Sequence, residues 1–170
     1  MIVKVTVLYN MPKKGDASDL DTQKSALGVA EGLKGYYDIE ILGIRENEIE
    51  KIEDLKTDFI FNLIEWSGNE YRYGVRVIEE LGKAGLPYSG SDAWGYELTN
   101  NKEIMKKKMD ENKIPTPRYK IFSNNELRIT NNGMEFPVIL KPISEHCGIG
   151  IGQKSLASDN RELSERANDM

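Results

Sequence analysis

Residues 2–88 alternate between strand-like and helix-like segments, and this order constrains the fold more than any other feature of the sequence. Three segments have the apolar, β-branched composition of buried strands: residues 2–10, 38–44 and 58–64. A predicted helix follows each of them: residues 22–33 and 71–84 carry apolar residues at helical spacing, and residues 46–55 are expected to form a short charged helix. A β-α-β-α-β-α order predicts an α/β fold, in which helices cover the faces of a parallel sheet.

Two polar segments follow the first and third predicted strands, residues 10–21 and 65–70. Ligands of parallel sheets bind beyond the carboxyl ends of the strands. Both segments therefore fit a binding site at least as well as they fit plain connections between elements.

The composition changes after residue 91, and we predict a domain boundary near residues 91–97. A lysine-rich helix is expected over residues 98–112, and residues 114–117 (IPTP) form an extended linker. Residues 118–123 and 136–141 are expected to be strands, paired antiparallel through a turn at residues 131–133. The last predicted helix covers residues 159–168, where Asp159 and Glu162 have the spacing of a capping box.

A lysine and a glycine-rich loop end the second predicted strand of this region. Lys141 closes what is expected to be a buried strand, and residues 144–152 contain three glycines. Glycine permits positive φ, and a lysine with exposed backbone amides can hold phosphate. The loop is neither a Walker loop nor a dinucleotide fingerprint. On this segment alone, a plain glycine-rich turn is the stronger interpretation.

Composition excludes several classes of function. The net charge of −5 argues against a dedicated nucleic-acid binder, which would have a basic surface. One cysteine and one histidine exclude a disulfide framework and a cysteine- or histidine-rich metal site. No apolar run is long enough for a membrane span, and the N-terminus lacks the features of a signal peptide. We therefore expect a cytoplasmic protein with no membrane partner.

Five short motifs occur in an order that resembles the D-alanine–D-alanine ligase family of the ATP-grasp superfamily. They are DFIFNL (58–63), LPYSGS (86–91), Asn101-Lys102, IPTP (114–117) and FPVILKP (136–142). The resemblance implies a Rossmann-like pre-ATP-grasp domain with a parallel sheet in residues 1–95. Residues 96–170 would then be the first, incomplete ATP-grasp lobe, and the chain would be the N-terminal part of a longer polypeptide.

The resemblance also implies a reaction and a set of site residues. Such ligases use Mg-ATP to phosphorylate a carboxylate, and an amine then attacks the acyl phosphate. Lys102 and Lys141 match the two lysines of this lobe that contact ATP phosphates. The flexible loop that closes over the phosphates is matched by Cys147, Gly148, Ile149 and Gly150. Glu65 and Glu70 fall in the loop that contributes to the amino-acid site, whereas the metal ligands are expected on the absent second lobe.

Several positions depart from the pattern of the family. Cys147 and Gly148 replace two serines, and His146 replaces a glycine. Glu65 stands where D-alanine ligases have histidine, and Asn101 replaces an aspartate. The first-loop glutamate that holds the substrate ammonium has no clear match, although Asp16, Asp19 and Asp21 are nearby. Specificity for D-alanine therefore does not follow from the sequence.

Two alternatives remain open. The chain could be a non-catalytic Rossmann-like module that binds a small polar ligand with residues 10–21 and 65–70. It could also belong to an ATP-grasp ligase with other amino-acid, carboxylate or peptide substrates.

Without a second lobe we expect no ligase turnover from this chain alone. A homodimer is compatible with the resemblance, because such relatives often dimerise through the first domain.

Overall fold

A computed structural model describes residues 2–11, 20–66, 68–122, 133–146 and 148–169 of the chain. It separates into two compact units, Met1–Glu97 and Leu98–Met170. Each unit is described by itself.

The first unit contains a parallel sheet with β1 at its centre. The strands are β1 (Lys4–Asn10), β2 (Asp38–Ile44) and β3 (Phe59–Leu63), in the order β2-β1-β3. Both pairings are parallel, which confirms the fold predicted from the alternating pattern. Residues 87–89 lie beside β3, because the amide of Ile60 donates to Pro87 O at 2.8 Å and the amide of Ser89 donates to Ile60 O at 3.0 Å.

Within the described residues, three α-helices begin in this unit: α1 (Leu20–Leu33), α2 (Tyr71–Lys83) and α3 (Ala93–Asn100). The helix predicted over residues 46–55 is instead a 3₁₀-helix, Ile49–Asp54. Ile49 and Ile52 are both buried, and three residues per turn place them on the same face. This tighter helix therefore brings both side chains into the core. Gly35, with a φ of 92°, follows α1 as expected for a helix stop.

The central strand is buried on both faces. Val7 and Tyr9 pack against the alanines of α1, Ala26 and Ala30. Leu8 points to the opposite face, where its cluster includes residues of the 3₁₀-helix and of α2. Covering helices on both sides explain why β1 is a continuous apolar run and does not alternate with polar residues.

The second unit begins within a stretch for which we predicted one helix, residues 98–112. The structure has a break there, because α3 ends at Asn100 and α4 (Lys102–Glu111) begins two residues later. Asn101 has an extended backbone, with φ −121° and ψ 105°. Its side chain accepts hydrogen bonds from the amides of Glu103 and Ile104. The asparagine thus caps a new helix and does not continue the old one.

The predicted antiparallel pair of strands in the second unit is wrong. Residues 114–122 are not a strand, and β4 covers only Val138–Ile139. Its partner is β5 (Leu156–Ala157), and Leu140 extends the pairing by donating to Ser155 O at 2.7 Å. Leu140 and Ala157 share a small core with Leu163 of α5 (Asn160–Asn168), which favours this pairing. Residue 123 and the expected turn residues 131 and 132 lie outside the described residues.

Helix α5 begins as its sequence predicts. The Asp159 side chain accepts from the Glu162 amide at 2.8 Å, and the Glu162 carboxylate accepts from the Ser158 amide at 2.8 Å.

Within the part of the chain that the structure describes, no helix combines the length and apolar character needed to cross a bilayer.

Candidate functional site

Lys102 is the first residue of α4, and two contacts determine where its backbone lies. Asn101 caps the helix, accepting from the Glu103 amide at 3.0 Å and from the Ile104 amide at 3.2 Å. The Lys102 amide donates to Ile143 O at 3.0 Å. The start of α4 is therefore tied directly to the segment that follows Lys141.

The Lys102 side chain turns toward the same segment. Its Nζ donates a hydrogen bond to the main-chain oxygen of Glu145. The pKa of Lys102 is lowered, first by burial and then by the positive charge of Lys141, whereas the Glu145 carboxylate raises it. The structure thus brings together the two lysines that the sequence selected. They repel each other, and an anion bound between them would relieve that repulsion.

The other lysines of α4 have different surroundings. Lys107 pairs with Glu103 at 2.6 Å, and Lys108 pairs with Glu111 at 3.3 Å. Lys106 lies over the ring of Tyr119, 5.4 Å from its centroid. These contacts are typical of an exposed helix surface, so Lys102 is distinct from the lysine run that follows it.

Lys141 does not end a buried strand, contrary to our expectation. Val138 is half-buried and Leu140 is buried, whereas Ile139 is 54% exposed and Lys141 is exposed. Residues 139 and 141 therefore share the outer side of the segment. Leu156, 48% exposed, is the cross-strand neighbour of Ile139. An aliphatic pair and a lysine thus lie on one open surface.

The glycine-rich loop folds into two successive turns. The Ile149 amide donates to His146 O at 3.0 Å, and the Ile151 amide donates to Gly148 O at 3.0 Å. Gly148 and Gly150 have φ of 79° and 72°, conformations that favour glycine. A phosphate could use the Ile149 amide only if this turn opened. Cys147, the remaining loop residue of the prediction, lies outside the described residues.

In the first unit, the segment after β3 is held through two consecutive backbone amides. The Ile64 amide donates to Asn62 Oδ1 at 3.1 Å, and the Glu65 amide donates to Asn10 Oδ1 at 2.9 Å. The Trp66 backbone lies near the Tyr96 hydroxyl and acts to lower its pKa. The backbone at the carboxyl edge of the sheet is therefore held by the side chains of Asn62 and Asn10.

Glu65 lies at this edge, as its place after β3 predicts. It is exposed, whereas Ile64 and Trp66 on either side are buried. Burial, followed by the negative charge of Glu65, raises the pKa of Tyr96 to about 12. The carboxylate therefore lies close enough to influence the phenol. Glu70, the other predicted carboxylate, lies immediately before α2 and is half-buried. Asp16 and Asp19 lie outside the described residues, as does the side chain of Asp21.

The sequence prediction included Asn10 only as the first residue of the polar segment 10–21, and it predicted no contact between Tyr96 and the segment after β3. An asparagine at the end of an otherwise apolar strand is a signal for Asn10, because buried polar groups require hydrogen-bond partners. Nothing in the local sequence of α3 indicates that Tyr96 contacts the segment after β3. Only the packing of α3 against α2 brings them together.

The described residues do not by themselves form a magnesium site. No group of three or more histidine, cysteine, aspartate or glutamate side chains with the arrangement of a metal site occurs among them. An open groove lined by Asp110 and residues 116–121 contains neither Lys102 nor Lys141.

Comparison with known proteins relates this arrangement to one family. The chain is 30% identical over 156 residues to a D-alanine–D-alanine ligase from Pelagibacter ubique, a match that covers 89% of this chain and 50% of that protein. It is 33% identical over 132 residues to a D-alanine–D-alanine ligase from Marinomonas sp., covering 74% of this chain and 41% of that protein. No protein-family model matches the chain.

Solved structures agree on the fold. D-alanine–D-alanine ligase from Bacillus anthracis complexed with ATP matches with a TM-score of 0.69 at 22% identity, over 98% of this chain and 54% of that one. The enzyme from Helicobacter pylori matches with a TM-score of 0.64 at 14% identity, over 98% of this chain and 62% of that one. The chain spans about half the length of the first of these relatives. In sequence and fold, it belongs to the D-alanine–D-alanine ligase family of the ATP-grasp superfamily and corresponds to its N-terminal part.

Proposed function

We propose that this chain provides the N-terminal part of an ATP-dependent carboxylate–amine ligase, with Lys102 and Lys141 as ligands of the ATP phosphates. The observation that carries this proposal is the pairing of the two lysines. Lys102 is partly desolvated, lies close to a second cation, and is held by main-chain contacts to the loop after that cation. Placing like charges together is unfavourable unless an anion binds there.

The surface around Lys141 supports a nucleotide as the anion. Ile139 and Leu156 are cross-strand neighbours, and each is about half exposed. Such an aliphatic pair can pack against the flat face of a base, while Lys141 on the same side of the segment contacts the phosphates. A free phosphate would use the lysines but would gain nothing from the aliphatic pair.

In the proposed reaction, a carboxylate oxygen of one substrate attacks the γ-phosphorus of ATP and ADP leaves. The amine of a second substrate then attacks the acyl carbon, phosphate leaves, and the nitrogen loses a proton. Residues of this chain would bind and orient the phosphates. The resemblance places the metal ligands and the arginine that steadies the transferring phosphoryl group on the second lobe, and we therefore expect no amino-acid-dependent phosphate release from this chain alone.

The carboxylates at the edge of the first unit, Glu65 and Glu70, would contribute to the site for a small amino-acid or carboxylate substrate. We leave D-alanine open as that substrate, because Glu65 differs from the histidine of D-alanine ligases. The loop residues Cys147, Gly148, Ile149 and Gly150 would close over the phosphates. A cytoplasmic location and a homodimeric parent belong to the same proposal and rest on the resemblance alone.

Binding of ATP to the wild-type chain and to lysine variants tests the proposal. Lys102→Met and Lys141→Met should each weaken ATP binding by ~10-fold or more, since a charge pair at 4 Å contributes ~4 kcal/mol before desolvation is subtracted. Lys107→Met is the matched control, because Lys107 lies on the same helix but pairs with Glu103. It should change the affinity by less than about twofold.

Tripolyphosphate and AMP separate the two parts of the site. Binding of tripolyphosphate should weaken when either lysine is replaced, whereas binding of AMP should weaken in Ile139→Ser. Equal losses in all three lysine variants would reduce the effect to nonspecific charge attraction and contradict the proposal. Absence of any ATP binding would leave the small-ligand module, built on the edge of the first unit, as the better description.

A further inference from the structure

Ser155 is a buried polar residue, 4% exposed, and it lies directly before β5. Its hydroxyl accepts a hydrogen bond from the Gly152 amide at 3.0 Å and donates one to Gly150 O at 3.4 Å. Its own amide donates to Gly152 O at 2.9 Å. Because a serine hydroxyl can donate and accept at the same time, this side chain holds the end of the glycine-rich loop at two points.

The backbone of Ser155 contacts the segment that carries Lys141. The main-chain oxygen of Ser155 accepts from the Leu140 amide at 2.7 Å, and Leu140 immediately precedes Lys141. Ser155 therefore joins two parts of the proposed phosphate site, since its hydroxyl holds the loop and its main-chain oxygen holds the residue next to the lysine.

Gly150 gives the loop a second contact with the same segment. A Cβ built on Gly150 would lie 3.0 Å from Pro142 Cγ, and Pro142 immediately follows Lys141. Gly150 also has a φ of 72°, which favours glycine. The absence of a side chain therefore lets the loop lie against the proline while the Gly150 carbonyl accepts from Ser155.

The start of the loop is held by Lys102. Its amide donates to Ile143 O at 3.0 Å, and its Nζ donates to the main-chain oxygen of Glu145. The two turns of the loop lie between these contacts and those of Ser155. If such a turn opens, its amide can contact a phosphate while both ends of the loop stay in place.

We propose that Ser155 is a positioning residue for the polyphosphate site and holds residues 148–152 beside Lys141. A loop that is already held at both ends loses less conformational entropy when its amides bind phosphate. The inference rests on the proposed function, since ATP is the source of the phosphates. It adds a residue that lies outside both the loop and the lysine pair, and it makes the hydroxyl of that residue a requirement for tight phosphate binding.

Calorimetric titration with tripolyphosphate, at constant ionic strength, tests the role of the hydroxyl. Ser155→Ala should weaken binding by ~3-fold or more, because the loop must then be ordered on binding. Ser155→Thr keeps the hydroxyl and should restore the affinity. Wild-type affinity in Ser155→Ala would overturn the proposal, as would a loss in Ser155→Thr as large as that in Ser155→Ala.

Leu163→Val is the matched control for general destabilisation. Leu163 packs with Leu140 and Ala157, so the smaller valine weakens the core of the second unit without removing a hydrogen bond to the loop. It should change the affinity for tripolyphosphate by less than about twofold, as expected for a site without shared partners. An equal loss in Leu163→Val and Ser155→Ala would reduce the serine to a contributor to stability.

Hydrogen exchange in the absence of ligand tests the contact itself. Ser155→Ala should speed exchange of the Gly152 amide by ~5-fold or more, as expected when one neutral hydrogen bond is lost. The Leu163 amide, which donates to Asp159 O at 3.0 Å, should exchange at its wild-type rate. Equal acceleration of both amides would show general loosening of the second unit and contradict a local role.

The wild-type chain provides a measurement that does not depend on a variant folding. Tripolyphosphate should shift the Ile149 amide signal in NMR spectra, while the Gly152 amide stays protected from exchange. Loss of that protection on binding would mean that Ser155 releases the loop, and the proposal would fail.

Failure of this inference is distinguishable from failure of the proposed function. Wild-type affinity for tripolyphosphate in both Lys102→Met and Lys141→Met would contradict the phosphate site as a whole. Weakened binding in those two variants, together with wild-type affinity in Ser155→Ala, would contradict the positioning role alone.

Discussion

The hydroxyl of Tyr96 lies directly against the backbone of Gly74. A Cβ built on Gly74 would be 2.4 Å from Tyr96 Oη, closer than any side chain tolerates. Glycine at this position of α2 therefore allows α3 to approach. This contact places the phenol where it meets the Trp66 backbone and the charge of Glu65.

Gly74→Ala should destabilise the first unit by ~1–3 kcal/mol, because the tyrosine must move from its packed position. Gly82 in the same helix is the matched control, since nothing lies within 4 Å of a Cβ built there. Gly82→Ala should stabilise by ~0.5–1 kcal/mol, the usual gain of alanine over glycine in a helix. Urea unfolding compares the two variants, and equal stabilities would contradict the packing described.

Tyr96 makes stability dependent on pH in the alkaline range. Its pKa is raised from 10.0 to about 12, so the folded chain keeps a proton that the unfolded chain releases. The stabilising contribution is complete below pH 10 and is lost as the pH rises toward 12. Tyr96→Phe should reduce the fall in unfolding free energy across this range. Tyr36→Phe, at a position that is 79% exposed, should not.

Glu65 offers a second test of the same contact. Its negative charge is the second cause of the raised pKa of Tyr96, after burial. Glu65→Gln should therefore lower the pKa of Tyr96, measured by ultraviolet titration as a difference from the Tyr96→Phe chain. An unchanged pKa would mean that the carboxylate lies away from the phenol.

The Lys102 pKa reports the neighbouring charge at the proposed phosphate site. Burial and the Lys141 charge both lower it. Lys141→Met should raise the Lys102 pKa but not restore its ordinary value, because the burial remains. A bound polyphosphate should also raise it. Titration of the Lys102 Cε signal by NMR checks both shifts, and the same signal of Lys107 provides an internal reference.

Asn101 should matter as a helix cap and not as a charge. Asn101→Ala removes the acceptor for the Glu103 and Ile104 amides and should cost ~1 kcal/mol of stability. Asn101→Asp should retain that stability, since aspartate caps equally well and its charge favours a helix N-terminus. Urea unfolding measures both. If Asn101→Ala unfolded at the same urea concentration as the wild-type chain, the cap would contribute nothing to stability.

Thr6 carries a buried hydroxyl without a hydrogen-bond partner among the described residues. Thr6→Val should therefore leave stability unchanged or raise it by about 1 kcal/mol, because an unsatisfied polar group is replaced by a methyl. Thr22→Val is the contrasting change, since the Thr22 hydroxyl donates to Asn10 O at 3.1 Å. It should destabilise the chain by ~0.5–1.5 kcal/mol in the same unfolding assay.

Local pattern predicted the first unit well, because its strands and helices are long and regular. The apolar run of β1 and the spacing in α1 each contain their own structural signal, and so do the capping residues of α5 in the second unit. The same approach failed where elements are short. Two-residue strands such as Val138–Ile139 carry almost no periodicity, and their partner is chosen by a core that Leu163 completes from far along the chain.

The sequence by itself therefore predicted the parallel α/β architecture and the family resemblance. It also selected Lys102 and Lys141 as candidate phosphate ligands. Each of these depends on residue types in a fixed order. Only the tertiary structure decided that Lys102 is desolvated beside Lys141 and that Asn10 holds the Glu65 amide. Both relationships join residues 39 or more positions apart, counting from Lys102 to Lys141 and from Asn10 to Glu65. Distances, burial and charge coupling of this kind arise from packing, which no local sequence pattern contains.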